Sequence, residues 1–218
     1  MQYTSSEENY IKAIYHLELI HGKVNTSRLS EAVRTTPASV TDMLKKLKVK
    51  NLVDYKPYRS FHLTESGSKI ALDVIRKHRL WEFFLVNKLG FEWGNVHEVA
   101  EELEHISSKE LIVRLDKYLG TPAFDPHGDP IPDTKGKIRK VKQANLATIP
   151  LKKTACVSSV KNQSSEMLDL LKHYHISIGS KIKVHRRFDF DGSIEIKVDK
   201  NVSTIISNSV AINVYCLI

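Results

Sequence analysis

Thiol is almost missing from this chain: Cys156 and Cys216 are its only cysteines, and neither stands in a CxxC spacing. That excludes a disulfide-stapled scaffold and a cysteine-rich zinc site, and it leaves two reduced thiols expected in buried strands. Glycine and proline are sparse, at nine and seven residues, and five of the prolines fall between Thr121 and Pro150. Loop texture is therefore confined largely to one stretch. No apolar run approaches the roughly 20 residues that span a membrane. The opening MQYTSSEENY has no basic stretch followed by an apolar core, so no signal peptide is expected and a cytoplasmic address follows, with no membrane partner. Acidic charge is the scarcer sign, 25 Asp+Glu against 33 Lys+Arg for a net charge of +8. That balance favours an anionic partner, nucleic acid first.

What is present is enough for more than one core: 218 residues, 41% of them hydrophobic. Ser5 with Glu8 reads as a capping box before NYIKAIYHLELI, and Gly22 as the stop, so the first helix is expected over 6–21. A short helix SRLSEAV follows. Thr36 and Pro37 then supply an N-cap and a first-turn proline for ASVTDMLKKLKVKN. The stretch LVDYKPYRSFHLT holds two short apolar runs around Lys56, Pro57, Tyr58 and Arg59, the pattern of a small hairpin with a basic tip. Helix, turn, helix and hairpin make a winged helix-turn-helix.

In such a module the second helix enters the major groove, its early residues meet base edges, and nearby basic groups bind phosphate. The early residues are Thr36, Ala38, Ser39, Thr41 and Asp42; Lys45, Lys46, Lys48 and Lys50 follow, with Tyr58 and Arg59 on the wing. A run of lysines on a helix is as often a plain solvated face. Short polar residues opening the helix tip the segment as a whole towards double-stranded DNA.

Thr64 and Gly67 lead into a long helix reaching about Leu89, then NVHEVAEELEH, then a helix capped by Ser107 with Glu110 that ends at Gly120. His78 and Glu82 are four apart, and His97, Glu101, Glu104 and His105 recur at helix-face spacing. Histidines and carboxylates on an amphipathic helix are usually its wet face. Two such sets across one short connection, beside apolar Leu80, Phe84, Leu85, Val99 and Leu103, point instead to nitrogen and oxygen ligands for a divalent ion. HEVAE at 97–101 lacks the second histidine of a zinc protease. After the 121–150 stretch, with basic residues at Lys135, Lys137, Arg139, Lys140 and Lys142, come TACVSSVK, SKIKVHRRF, SIEIKV and VAINVYCLI, broken by SSEMLDLLKHY. That is the pattern of a small β-barrel.

The runs EENYIKAIYHLE, PASVTDMLKKL, LTESG, RKHRLWEFFL, VHEVAEELEH and DPHGDPIPD, in this order across the whole chain, resemble the diphtheria-toxin-repressor family of metal-dependent regulators and its manganese-responsive branch. The resemblance implies a mainly α fold with β: a winged helix-turn-helix (1–72), a helical dimerisation and metal-binding domain (73–134), a linker (135–150) and an SH3-like, FeoA-like domain (151–218). It also implies a homodimeric, metal-activated repressor of manganese or iron uptake genes, and no enzyme. One ligand set carries over to Asn9, Glu101, Glu104 and His105. The other carries over to His78, Glu82 and His97, completed by Gln163 and Glu166, which match the family's pair in exchanged order.

Departures from the family pattern carry information of their own. Glu101 stands where iron-responsive members have cysteine, Asn9 where the family usually has Met or Asp, and Lys12 where some manganese-responsive members have Glu. Asp125 and His127 sit where some members recruit loop ligands. A set without thiolate or thioether fits Mn²⁺, with Fe²⁺ as the alternative. The competing classes are a metallohydrolase, which gives no reason for the helix-turn-helix, and a metal-independent regulator in which the cluster is only a polar surface.

Overall fold

A computed structural model describes residues 3–56 and 59–218, and in it the chain forms two compact units. The first unit comprises 1–78, 101–115 and 132–137; the second comprises 79–100, 116–131 and 138–218. The helical region expected as one domain, 73–134, is thus shared between them. Among the described residues no helix is long and apolar enough to cross a membrane.

Helix α1 (Ser5–His21) opens one residue earlier than its sequence suggests. Thr4, not Ser5, is the N-cap: its side chain accepts from the Glu7 N–H while the Glu7 carboxylate accepts from the Thr4 N–H. Glu7 is thereby held at the helix start and is nearly buried. Helices α2 (Thr26–Ala32) and α3 (Pro37–Val49) follow, capped by Asn25 and Thr36. Strands β1 (Val53–Asp54) and β2 (His62–Leu63) pair antiparallel as the wing. Ile11, Ile14, Leu29, Val40, Leu44, Leu47 and Phe61 fill the core beneath.

Thr64 then caps α4 (Glu65–Leu89) by accepting from the Gly67 N–H. A Cβ on Gly67 would lie 2.1 Å from the Leu52 carbonyl oxygen, so only glycine lets α4 seat this closely on the turn after α3. Helix α5 (Val96–Leu103) and helix α6 (Lys109–Tyr118) complete the helical part. The side chain accepting at the start of α6 is Ser108, not Ser107.

The second unit carries a six-stranded antiparallel sheet in the order β3-β8-β4-β5-β6-β7. Its strands are β3 (Gln143–Asn145), β4 (Thr154–Val160), β5 (Lys181–Arg187), β6 (Ile194–Val198), β7 (Thr204–Ile206) and β8 (Val214–Leu217). Helix α7 (Ser165–His173) packs Leu168 and Leu171 into the core, and a short α8 (Asn208–Ala211) precedes β8. Strand β4 pairs with β5 at its start and β8 at its end, and its register shifts between Val157 and Ser159. Such a bulge lets one strand serve two faces of a small SH3-like barrel.

Two expectations change here. Gln143–Asn145, expected in the linker, is an edge strand against β8. VAINVYCLI, expected as strand throughout, starts as helix because the Ser207 hydroxyl caps it by accepting from the Val210 N–H. The thiols are free, and Cys216 is buried; that burial, with the neighbouring Cys156, pushes its thiol up to about 12.

The Lys50 Nζ lies 2.5 Å from the Glu7 carboxylate. Burial pushes the Glu7 carboxyl up, but the hydrogen bonds from Lys50 and the Thr4 backbone outweigh it and hold the group below the usual carboxylate range. A depressed carboxyl contributes stability above its unfolded pKa and loses it as pH falls through the folded value. Glu7→Gln keeps the cap and removes the charge, so it is expected to cost about 1 kcal/mol at neutral pH. That deficit should close below about pH 4, as read by denaturant unfolding of both proteins across pH.

Candidate metal centres and nucleic-acid interface

In the first unit the face of α1 that carries Glu8 and Lys12, one turn apart, meets the end of α5 and the middle of α4. Glu104 is wholly buried, and both of its oxygens are engaged. Lys12 Nζ lies 2.5 Å from Oε1, and His78 Nδ1 lies 2.6 Å from Oε2. Lys12 also reaches Glu101 at 3.4 Å. His105 Nδ1 sits 2.6 Å from Glu8 Oε2, with its Nε2 3.7 Å from Glu104, and Lys77 stands 3.9 Å from Glu8. Burial pushes the Glu104 carboxyl up, yet the His78 hydrogen bond and the Lys12 ammonium outweigh it and hold it below the usual range.

The structure thus brings Glu101, Glu104 and His105 together, as their spacing suggests. Asn9, the position matched from the family, is exposed, and the neighbouring Glu8 meets His105 instead. Glu8 was not among the expected ligands because the resemblance carries that position over to Asn9, and one step along a helix turns the side chain by about 100°.

The second unit holds a different cluster. Glu82, on α4, is 1% exposed, and its Oε1 lies 3.2 Å from His97 Nδ1 and 3.7 Å from His127 Nε2. His127 is fully buried and stacks on Trp93 with ring centroids 5.4 Å apart and planes at 20°. A loop delivers it. The Asp125 carboxylate accepts from the N–H groups of His127 and Asp129, and the His127 carbonyl accepts from the Val160 N–H of β4. Gly128, at φ +83°, presses so closely that a Cβ would fall 1.8 Å from the Ser158 carbonyl oxygen.

Carboxylates gather in this cluster. Glu82, Asp125 and Asp129 face chiefly Arg79, 3.4 Å from Asp125 and 3.7 Å from Asp129, while Lys161 reaches Asp129 only from the exposed rim. Burial, then the Asp129 and Glu82 carboxylates, push the Asp125 carboxyl well up, and Arg79 offsets only part of that. Two imidazoles converging on one buried carboxylate, with Asp125 and Asp129 close by, fit a divalent ion.

His78 precedes Glu82 by one turn of α4, as spacing requires. Gln163 donates to Asp129 at 3.0 Å and so reaches the same loop. Glu166 is exposed, and its own backbone N–H, with the Ser164 and Ser165 hydroxyls, holds its carboxyl below the usual range. Sequence spacing alone could not join His127 to Glu82, because no helix or strand period links them.

On α3, Val40, Leu44 and Leu47 are buried, which turns Thr36, Ala38, Ser39, Asp42, Lys45 and Lys46 outward, with Thr41 half-buried. Thr36 Oγ1 accepts from the Ser39 N–H, and the Thr41 hydroxyl donates to the Pro37 carbonyl. Lys45 forms an exposed pair with Asp42 at 3.1 Å, whereas Lys50 is taken up by Glu7. Arg59 is exposed on the wing, and Tyr58 lies outside the described residues.

Three family models match in succession: the iron-dependent repressor N-terminal DNA-binding domain over residues 2–61, the iron-dependent repressor metal-binding and dimerisation domain over 64–133, and the FeoA domain over 144–217. The chain is 34% identical over 125 residues to the iron-dependent repressor IdeR of Mycobacterium tuberculosis (strain ATCC 25618 / H37Rv), covering 57% of this chain and 54% of that protein. It is 38% identical over 112 residues to the HTH-type transcriptional regulator MntR of Oceanobacillus iheyensis, covering 51% and 76%. The match spans about half the length of the iron-dependent relatives. Among solved structures it is similar to a manganese-dependent transcriptional repressor in complex with manganese, with a TM-score of 0.87 and 32% identity over 97% of this chain and 99% of that one. With all three domain matches in order and a relative and a solved structure matched over most of their own lengths, the chain belongs to the diphtheria toxin repressor family of metal-dependent transcriptional regulators.

Proposed function

We propose that this protein is a metal-activated, homodimeric repressor that binds operator DNA and controls manganese uptake genes, with iron as the alternative metal. The observation that carries the reading is the second unit's cluster, where the imidazoles of His97 and His127 converge on the buried Glu82 beside Asp125 and Asp129. Glu82, His97 and His127 would hold the ion. Bound there, the ion supplies the positive charge that Arg79 provides only in part.

Several residues prepare this site. Glu82 is fixed on a rigid helix, and His127 is oriented by the Asp125 turn, the Trp93 ring and the bond to β4. Each histidine must be neutral to ligate, so affinity should weaken as pH falls. Oxygen and imidazole donors without sulfur support Mn²⁺ over softer ions, while raw affinity would favour Zn²⁺ or Cu²⁺ in vitro. The same donors serve a metallohydrolase, but that class leaves the winged helix without a role, and the family is one of DNA-binding regulators rather than enzymes.

A ligand shifts a two-state equilibrium only by its differential affinity, and a change from mostly inactive to mostly active needs about 5.5 kcal/mol. Binding of the protein to its own upstream DNA, followed by fluorescence anisotropy at fixed salt with Mn²⁺ or anaerobic Fe²⁺ titrated, tests the reading. A steep rise in affinity with one ion is expected, and no response to either sinks it. His127→Ala should weaken Mn²⁺ binding by at least about tenfold in equilibrium dialysis, with DNA affinity recovered at higher Mn²⁺. Replacing Lys45 and Lys46 together by Ala should lower the slope of log affinity against log salt by about two and leave the Mn²⁺ response in place.

A further inference from the structure

In the first unit's cluster an ammonium of the chain lies directly on the buried carboxylate. Glu8, Glu101 and Glu104 face Lys12 and Lys77, with His78 and His105 bonded between them. Lys12 reaches the site from α1 with its side chain only 14% exposed, and its ammonium lies on the oxygens of Glu101 and Glu104 that a metal ion would need. Both oxygens of Glu104 and one of Glu8 are already committed. A divalent ion entering here would add its charge to two ammonium groups and would first have to expel Lys12 from a buried carboxylate, leaving one charge of a desolvated pair unmatched. The residues of this cluster therefore do not fit the metal that the family expectation places among Asn9, Glu101, Glu104 and His105.

We infer that Lys12 is a built-in substitute for a metal ion in the first unit, tying α1 to Glu101 and Glu104 at all metal concentrations, so that each chain responds to metal through the second cluster alone. The inference rests on the metal-sensing function proposed above for Glu82, His97 and His127. It changes what metal has to do: the link between the winged helix and Glu104 is permanent.

Mn²⁺ stoichiometry on the full-length protein, measured by equilibrium dialysis with His127→Ala, Glu104→Gln, Lys12→Met and Lys12→Glu alongside the wild type, decides the matter. One equivalent per chain is expected for the wild type, bound at least about tenfold more weakly in His127→Ala and unchanged in Glu104→Gln. Lys12→Glu should gain a second equivalent, and that gain should vanish when Glu104→Gln is added. Lys12→Met removes the ammonium without adding a carboxylate, so it reports on the site should Lys12→Glu fail to fold; it too should gain Mn²⁺, more weakly. Two equivalents in the wild type, one of them abolished by Glu104→Gln, would overturn the inference, as would folded Lys12 variants that gain none. Loss of all Mn²⁺ binding in the wild type, with a gain in the Lys12 variants, would instead remove the sensing role of the second cluster and leave the lysine substitution standing.

Discussion

Carboxylates withdrawn from water must be met by positive charge, and this requirement organises both clusters. Glu104 and Glu82 are each buried almost completely, and an isolated charge there would neutralise or unfold its surroundings. The two are answered differently. Glu104 has an ammonium on one oxygen and an imidazole on the other, and its carboxyl lies below the usual range despite its burial. Around Glu82 the imidazoles of His97 and His127 converge, while burial and then the neighbouring carboxylates push the Asp125 carboxyl up, offset only in part by Arg79. The first is met by an ammonium of the chain, the second by two imidazoles.

Helix α4 contributes to both arrangements. It carries His78, which engages Glu104, and one turn later Glu82, which engages His97 and His127. Its origin is fixed by Thr64 and by the close seat of Gly67 against Leu52, directly after the wing. The loop that supplies His127 depends on equally tight backbone packing, with Gly128 against Ser158 and the His127 carbonyl on Val160. Positioning on a rigid helix and on a turn pinned to a strand is what gives a metal-ligand set its geometry.

The helix-turn-helix rests on short-range chemistry. Thr36 caps α3, Pro37 opens it, and the buried Val40, Leu44 and Leu47 decide which side chains face outward. Two lysines that look equivalent in the sequence part company in the fold, since Lys46 is exposed and Lys50 is committed to Glu7. A count of basic residues thus overstates what a nucleic acid could meet.

The sequence by itself determined the helices with their periods and stops, the wing, the sulfur-free donor set, and the grouping of Glu101, Glu104 and His105, because each depends on spacing within one element or on composition. Helix periodicity is a local property, and it set His78 and Glu82 on one face before any packing was known. Tertiary structure alone decided that Glu8 rather than Asn9 meets His105, that Lys12 lies on Glu104, that His127 joins Glu82, and that Gln143–Asn145 pairs with the last strand. These contacts join residues far apart in the chain. They depend on which side chains of α1 pack against His105 and Glu104, on a glycine's clearance and on which buried charge needs a partner, and no local period encodes any of these.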